Sequence, residues 1–195
     1  LSHAIEAYVS KTSFPISDAL AKEAIEIISS NLRKAYADGR NLDAREKMME
    51  AQLLAGMAMS GGLGLVHSTG HNLGAGIYNI PHGIAMGVML PYVMSFNLPG
   101  RIERYGDIAR IMIGREIEEL PPREAALCSI EAVIDLLNDL DMPTSLSELD
   151  VKRKDIPVLA SNTMTEANNP SNPRTFTEEQ VEEIYIDALE GNIRN

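Results

Sequence analysis

From Ser17 to Gly191 the apolar residues of this chain recur at helical spacing. No segment shows the strict alternation, bounded by turns, that marks a half-buried strand. That periodicity fixes the fold class as all-α, and 195 residues with 45% hydrophobic content suffice for one domain with its own core, residues 1–195. SDALAKEAIEIISSNLRKAYADG places Leu20, Ala24, Ile27 and Ile28 on one stripe, with Ser17 as the expected N-cap and Gly39 as the stop. LDAREKMMEAQLLAGMAMSGG follows, with Asp43 and Glu46 spaced as a capping box. Its small residues Ala51, Ala55, Gly56, Ala58 and Ser60 would admit a close helix neighbour. GIAMGVMLPYVMSFN reads as an apolar helix with a kink expected at Pro91. IERYGDIARIMI, PPREAALCSIEAVIDLLNDLDM and VKRKDIPVLASNTM continue the helical pattern. TFTEEQVEEIYIDALEG closes it, with Thr177 and Gln180 as a second capping box.

Composition excludes several function classes. A net charge of −11 argues against nucleic acid and against an anionic membrane surface, since both are bound through Lys and Arg. No apolar run is long enough for a transmembrane helix, and no signal peptide is visible. The single cysteine, Cys128, lies in an amphipathic pattern and reads as core, which fits a reducing, cytoplasmic setting. The ten methionines read as core fillers, and the acidic run from Glu116 to Leu120 as a solvated face.

Chemistry concentrates in one place. Three of the four histidines, His67, His71 and His82, fall within GLGLVHSTGHNLGAGIYNIPHG, and the fourth, His3, stands near the start of the chain. His67 and His71 are four apart and would share a helix face, where two imidazoles can bind one transition metal. The intervening residues are Ser-Thr-Gly, so the glutamate of a zinc-protease motif is missing and a metal-dependent hydrolase is disfavoured. A loop with Gly74, Gly76 and Pro81 could return His82 to the other two. Spacing alone leaves two readings open: a metal site, or histidines satisfied within the core. Tyr78 and Asn79 could line a substrate pocket or simply pack. Glu6, one turn after His3, could hydrogen-bond behind a ligand or stabilise the helix dipole.

GLGLVHSTGH followed by NIPHGIAMGVMLPYVMSFN resembles the signature of the iron-containing (group III) alcohol dehydrogenases. LSHAIEAYVS resembles that family's D-A-x-x-H-A-x-E segment, and NPRTFTEEQVEEIYIDALEG its C-terminal helix. The three motifs occur in order across the chain. The resemblance implies the helical metal-binding domain of a two-domain enzyme whose N-terminal α/β domain, binding NAD or NADP, is absent here. A fragment inactive alone is therefore expected, consistent with a start at Leu1 rather than Met. By position, the resemblance implies that His3, His67 and His82 are ligands for Fe(II) or Zn(II). It implies that His71 faces the nicotinamide and relays the proton of a small alcohol or aldehyde. The family's fourth ligand, an aspartate four residues before His3, would lie outside the chain. The His67–His82 loop is one residue longer than the commonest family form. A zinc-dependent glycerol dehydrogenase or dehydroquinate synthase relative, and a non-catalytic helical dimerisation module, are the alternatives; retention of all four histidines argues against the last. A homo-oligomer, such as a dimer, is expected.

Overall fold

A computed structural model describes residues 1–75, 78–114, 117 and 119–194. Among these residues there is no strand. The chain forms α1 (Ser2–Val9), α2 (Pro15–Ala37), α3 (Leu42–Ala58), α4 (Leu65–Gly74), α5 (His82–Asn97), α6 (Ile102–Ile113), α7 (Pro122–Asp139), α8 (Ile156–Thr163) and α9 (Glu178–Glu190); the longer connections before α8 and α9 contain 3-10 turns. The helices pack in sequential pairs, α2 on α3, α4 on α5, α6 on α7 and α8 on α9, with α1 against α2, α3 and α6.

The expected boundaries hold with two corrections. Ser17 is not an N-cap: α2 begins at Pro15, whose fixed φ suits the first helical turn, and the Ser17 hydroxyl serves the Phe14 backbone from inside the helix. Asp43 and Glu46 do not form a capping box. Asn41 caps α3 instead, its side chain accepting from Ala44 N at 3.0 Å. At the far end, Thr177 and Gln180 form the expected reciprocal box on α9. α2 stops at Ala37, with Gly39 in the turn that follows.

α5 is apolar all round and is the central core helix: Ala85, Met86, Val88, Met89, Leu90, Tyr92, Val93 and Met94 are all buried, and the helix runs on through Pro91. α4 crosses close to it. A Cβ at Gly70 would meet the Met86 side chain at 2.1 Å, so glycine is what permits that approach. Only Met86, Met89 and Met94 of the methionines are fully buried. Met49 and Met57 are exposed because α3 turns one apolar edge to solvent, and Met59, just past α3, and Met164, just past α8, are exposed as well. Cys128 is half-buried rather than core, packing on the small cluster of Ala109, Ile117 and Ala125. Of the acidic run, Glu119 and Leu120 are exposed and Ile117 is buried; Glu116 and Glu118, like Gly76 in the histidine loop, lie outside the described residues.

Candidate metal centre

Three helices converge to bring the four histidines together. His3 sits in the first turn of α1, His67 and His71 are one turn apart on α4, and His82 opens α5 directly after Pro81. Ring centroids of His67 lie 4.5 Å from His3, 5.7 Å from His71 and 5.6 Å from His82. His3, His67 and His82 each offer a ring nitrogen, and these nitrogens lie within 4.8 Å of one another. His71 stands beside this triad, its ring 5.6 Å from that of His82.

The position of His67 is set by a buried carboxylate. Gly64, which precedes α4, has no side chain to cap the free N–H groups of the first turn. Two distant residues supply the acceptors. Glu6 Oε1, on α1, accepts from Gly64 N at 3.0 Å and from Val66 N at 2.8 Å, and Asn172 Oδ1 accepts from Leu65 N at 3.1 Å. The helix dipole favours a carboxylate at this end. Glu6 Oε2 meanwhile accepts a hydrogen bond from His67 Nδ1. Asn172 is itself locked by a reciprocal amide pair with Asn97 on α5. One buried carboxylate therefore caps the helix that carries His67 and also fixes that imidazole. Of the two readings open for Glu6 in the sequence, the hydrogen bond behind His67 is the one the geometry supports. The dipole that Glu6 serves is that of α4, not of its own helix.

With Nδ1 donating to Glu6, His67 Nε2 carries the lone pair. It is buried without a hydrogen-bond partner among the described residues. An orphaned imidazole nitrogen normally costs the desolvation of that group. Here it faces the other imidazoles, which suits a cation bound among them. A carboxylate behind a ligating histidine is the usual second contact in metal sites. The residues present thus fit a divalent transition metal. Burial, and then the proximity of His67, pull His3 down to about 4. Burial and the charges of His67 and His71 also lower His82. Both effects keep these imidazoles unprotonated near neutral pH, as metal ligation requires.

Around the cluster, a cavity of about 510 Å³ opens against His3 and His82, walled by apolar residues such as Leu32, Ile84, Leu90, Val133 and Leu137. Tyr78 and Asn79 do not line it. The Tyr78 hydroxyl is committed to Asp155 at 2.6 Å and to Lys152 N, while Asn79 adopts a left-handed φ of 51° between α4 and α5. One polar neighbour of the cluster escaped sequence reasoning: Glu166, just beyond α8, whose Oε2 is 3.3 Å from His71 Nδ1. It lies 95 residues from its partner, and no local pattern announces it.

Residues 1–189 match the family model of the C-terminal part of the Fe-containing alcohol dehydrogenases. A 1,3-propanediol dehydrogenase of Citrobacter freundii is 44% identical over 190 residues, covering 97% of this chain and 49% of the relative. An NAD-dependent methanol dehydrogenase of Bacillus methanolicus is 41% identical over the same shares. Among solved structures, the alcohol dehydrogenase from Oenococcus oeni superposes with a TM-score of 0.93 at 41% identity, covering 96% of this chain and 49% of that one. The chain spans about half the length of the relatives it matches.

Proposed function

As the chain belongs to the Fe-containing alcohol dehydrogenase family, matching its C-terminal part, we propose that it is the metal-holding half of an NAD(P)-dependent dehydrogenase acting on small alcohols and aldehydes. The observation that carries this reading is the triad of His3, His67 and His82. Their nitrogens lie within 4.8 Å of one another, and one of them is buried with no other partner. These three residues would hold Fe(II) or Zn(II). The bound metal would supply Lewis-acid polarisation of the alcohol or carbonyl oxygen, and the nicotinamide would supply the hydride chemistry.

The remaining work falls to residues of this chain. Glu6 orients His67 and leaves its Nε2 lone pair directed away from the carboxylate. His82 is placed by the start of α5, directly after Pro81. His71, half-exposed beside the triad, is positioned to take a proton from the substrate hydroxyl or return it, a role suited to imidazole near neutral pH. The relatives, a propanediol dehydrogenase and an NAD-dependent methanol dehydrogenase, support short-chain alcohols as substrates and NAD as the cofactor. No described helix is long and apolar enough to cross a membrane. A cytoplasmic setting, self-association into at least a dimer, and a nucleotide-binding region supplied by sequence outside this chain complete the proposal.

The test is metal binding. Calorimetric titration of Zn(II), and of Fe(II) without oxygen, is expected to give one site per chain, lost in His67→Ala. Equal binding in the variant, or no saturable binding in the parent and none in a chain extended upstream through the expected aspartate, would refute the assignment.

A further inference from the structure

Among the described residues, His71 is the one histidine of the cluster whose ring nitrogen meets an acid from outside α1. Its Nδ1 lies 3.3 Å from Glu166 Oε2, and the two side chains are 41% and 26% exposed, so the pair sits at the rim of the cluster rather than free in solvent. The pairing follows from helix packing. Asn72, next to His71, donates to Thr163 Oγ1 at 3.3 Å, and Tyr185 on α9 donates to Thr69 O at 2.9 Å while contacting Thr163. α4 is thereby clamped to the end of α8. Glu166 lies one turn past Thr163, held by its own backbone: Glu166 N donates to Thr163 O, and Glu166 O accepts from Asn169 N. Asn169 Nδ2 adds a 2.7 Å bond to Thr163 O. The carboxylate therefore projects from a segment fixed to the same helix that carries His71.

We propose that Glu166 is a positioning residue for His71: it holds the imidazole as the Nδ1–H tautomer and in one orientation, so that the Nε2 lone pair is the atom left to face substrate. A carboxylate can only accept at this distance, so Nδ1 must donate to it. Among the described residues no protein group engages Nε2. A free imidazole would divide itself between two tautomers and several rotamers, and only one combination presents an acceptor on the side away from α8. This inference rests on the reading of His71 as the proton-exchanging residue, and it assigns that residue the partner which pre-organises it.

The tautomer is directly measurable. Long-range 15N–1H NMR of the histidine side chains is recorded on the full chain, metal-free under chelator and at alkaline pH where imidazoles are neutral. A His71→Asn variant supplies the assignment. His71 is expected to be mostly Nδ1–H in the parent. In Glu166→Ala the ratio of Nδ1–H to Nε2–H is expected to fall about fivefold, as for a part-exposed charge-assisted hydrogen bond. Glu166→Leu, which keeps the bulk and removes the acceptor, decides the matter if the alanine variant does not fold. A parent His71 that is mainly Nε2–H, or an unchanged ratio in the folded variant, would overturn the proposal. Zn(II) titration of the same variants keeps this outcome separate from the metal assignment. Glu166 pairs with His71, which lies outside the triad, so affinity is expected to stay within about twofold of the parent. A parent that binds no zinc would show that the triad alone does not hold the metal, and the tautomer ratio would still decide the Glu166 proposal by itself.

Discussion

Replacing Glu6 by glutamine changes almost nothing in shape and should change two properties at once. Glu6 is 4% exposed and its two oxygens have separate duties. Oε1 accepts from Gly64 N at 3.0 Å and Val66 N at 2.8 Å, and Oε2 accepts from His67 Nδ1. Glutamine has one acceptor oxygen and an NH2 that only donates. If the NH2 faced the start of α4, it would meet backbone donors head-on, so the oxygen must stay there and the NH2 must face His67. Nδ1 then has to accept, and His67 is driven to the Nε2–H tautomer, whose proton occupies the lone pair the triad would use. Loss of charge from two backbone hydrogen bonds costs about 1 kcal/mol each, and the helix-dipole contribution adds about 0.5 kcal/mol. A loss of about 2–3 kcal/mol corresponds to a fall of roughly 5–10 °C in Tm for a chain of this size. Metal affinity should fall at least 10- to 100-fold, roughly the usual effect of removing such a contact. Thermal unfolding of the chelated protein and competition titration with a zinc dye read the two effects separately. A folded Glu6→Gln chain that binds Zn(II) within about twofold of the parent would refute the argument that Glu6 sets the tautomer of His67.

Two further outcomes are expected. Gly62 has φ of +95°, and a Cβ there would meet Thr12 Oγ1 at 2.5 Å and Ser171 Cβ at 2.8 Å. Gly62→Ala should therefore lower stability by about 2–3 kcal/mol in urea unfolding, and a neutral result would show that this turn can relax. The metal-free chain should lose stability as the pH falls from 6.5 towards 4. In that window His3, pulled down to about 4 in the native state, stays neutral while the unfolded chain takes up the proton, so acid favours unfolding. His3→Gln should flatten this part of the profile in urea titrations at successive pH values. A parent whose stability is flat or rises towards acid across the window would contradict the burial of His3.

Much of the helical layout was legible because it is written in short-range terms. Apolar periodicity, Gly39 beyond the end of α2, and the Thr177–Gln180 box are relations among residues a turn apart. Their physics is complete without the rest of the chain. Local signals misled where two overlapped. Asn41 outcompeted Asp43 for the start of α3, and Pro15 set the start of α2 ahead of Ser17. The four histidines could likewise be picked out in the sequence, as could the possible pairing of His67 with His71 at helical spacing. Spacing and periodicity left relations across helices open; the gathering of His3, His67 and His82 was implied only by the family resemblance. The choice for Glu6 between its own helix dipole and His67 was decided by the packing of α1 on the start of α4, which puts one carboxylate within reach of both backbone donors and an imidazole. The methionine edge of α3 is exposed because the helix turns its alanine face, Ala51, Ala55 and Ala58, with Leu54 beside it, to the core. Glu166 became visible only when α8 was clamped to α4. Hydrogen bonds and desolvation act over a few ångströms, and nothing in a linear sequence records which residues, 58 or 95 positions apart, the packed core will bring to that distance.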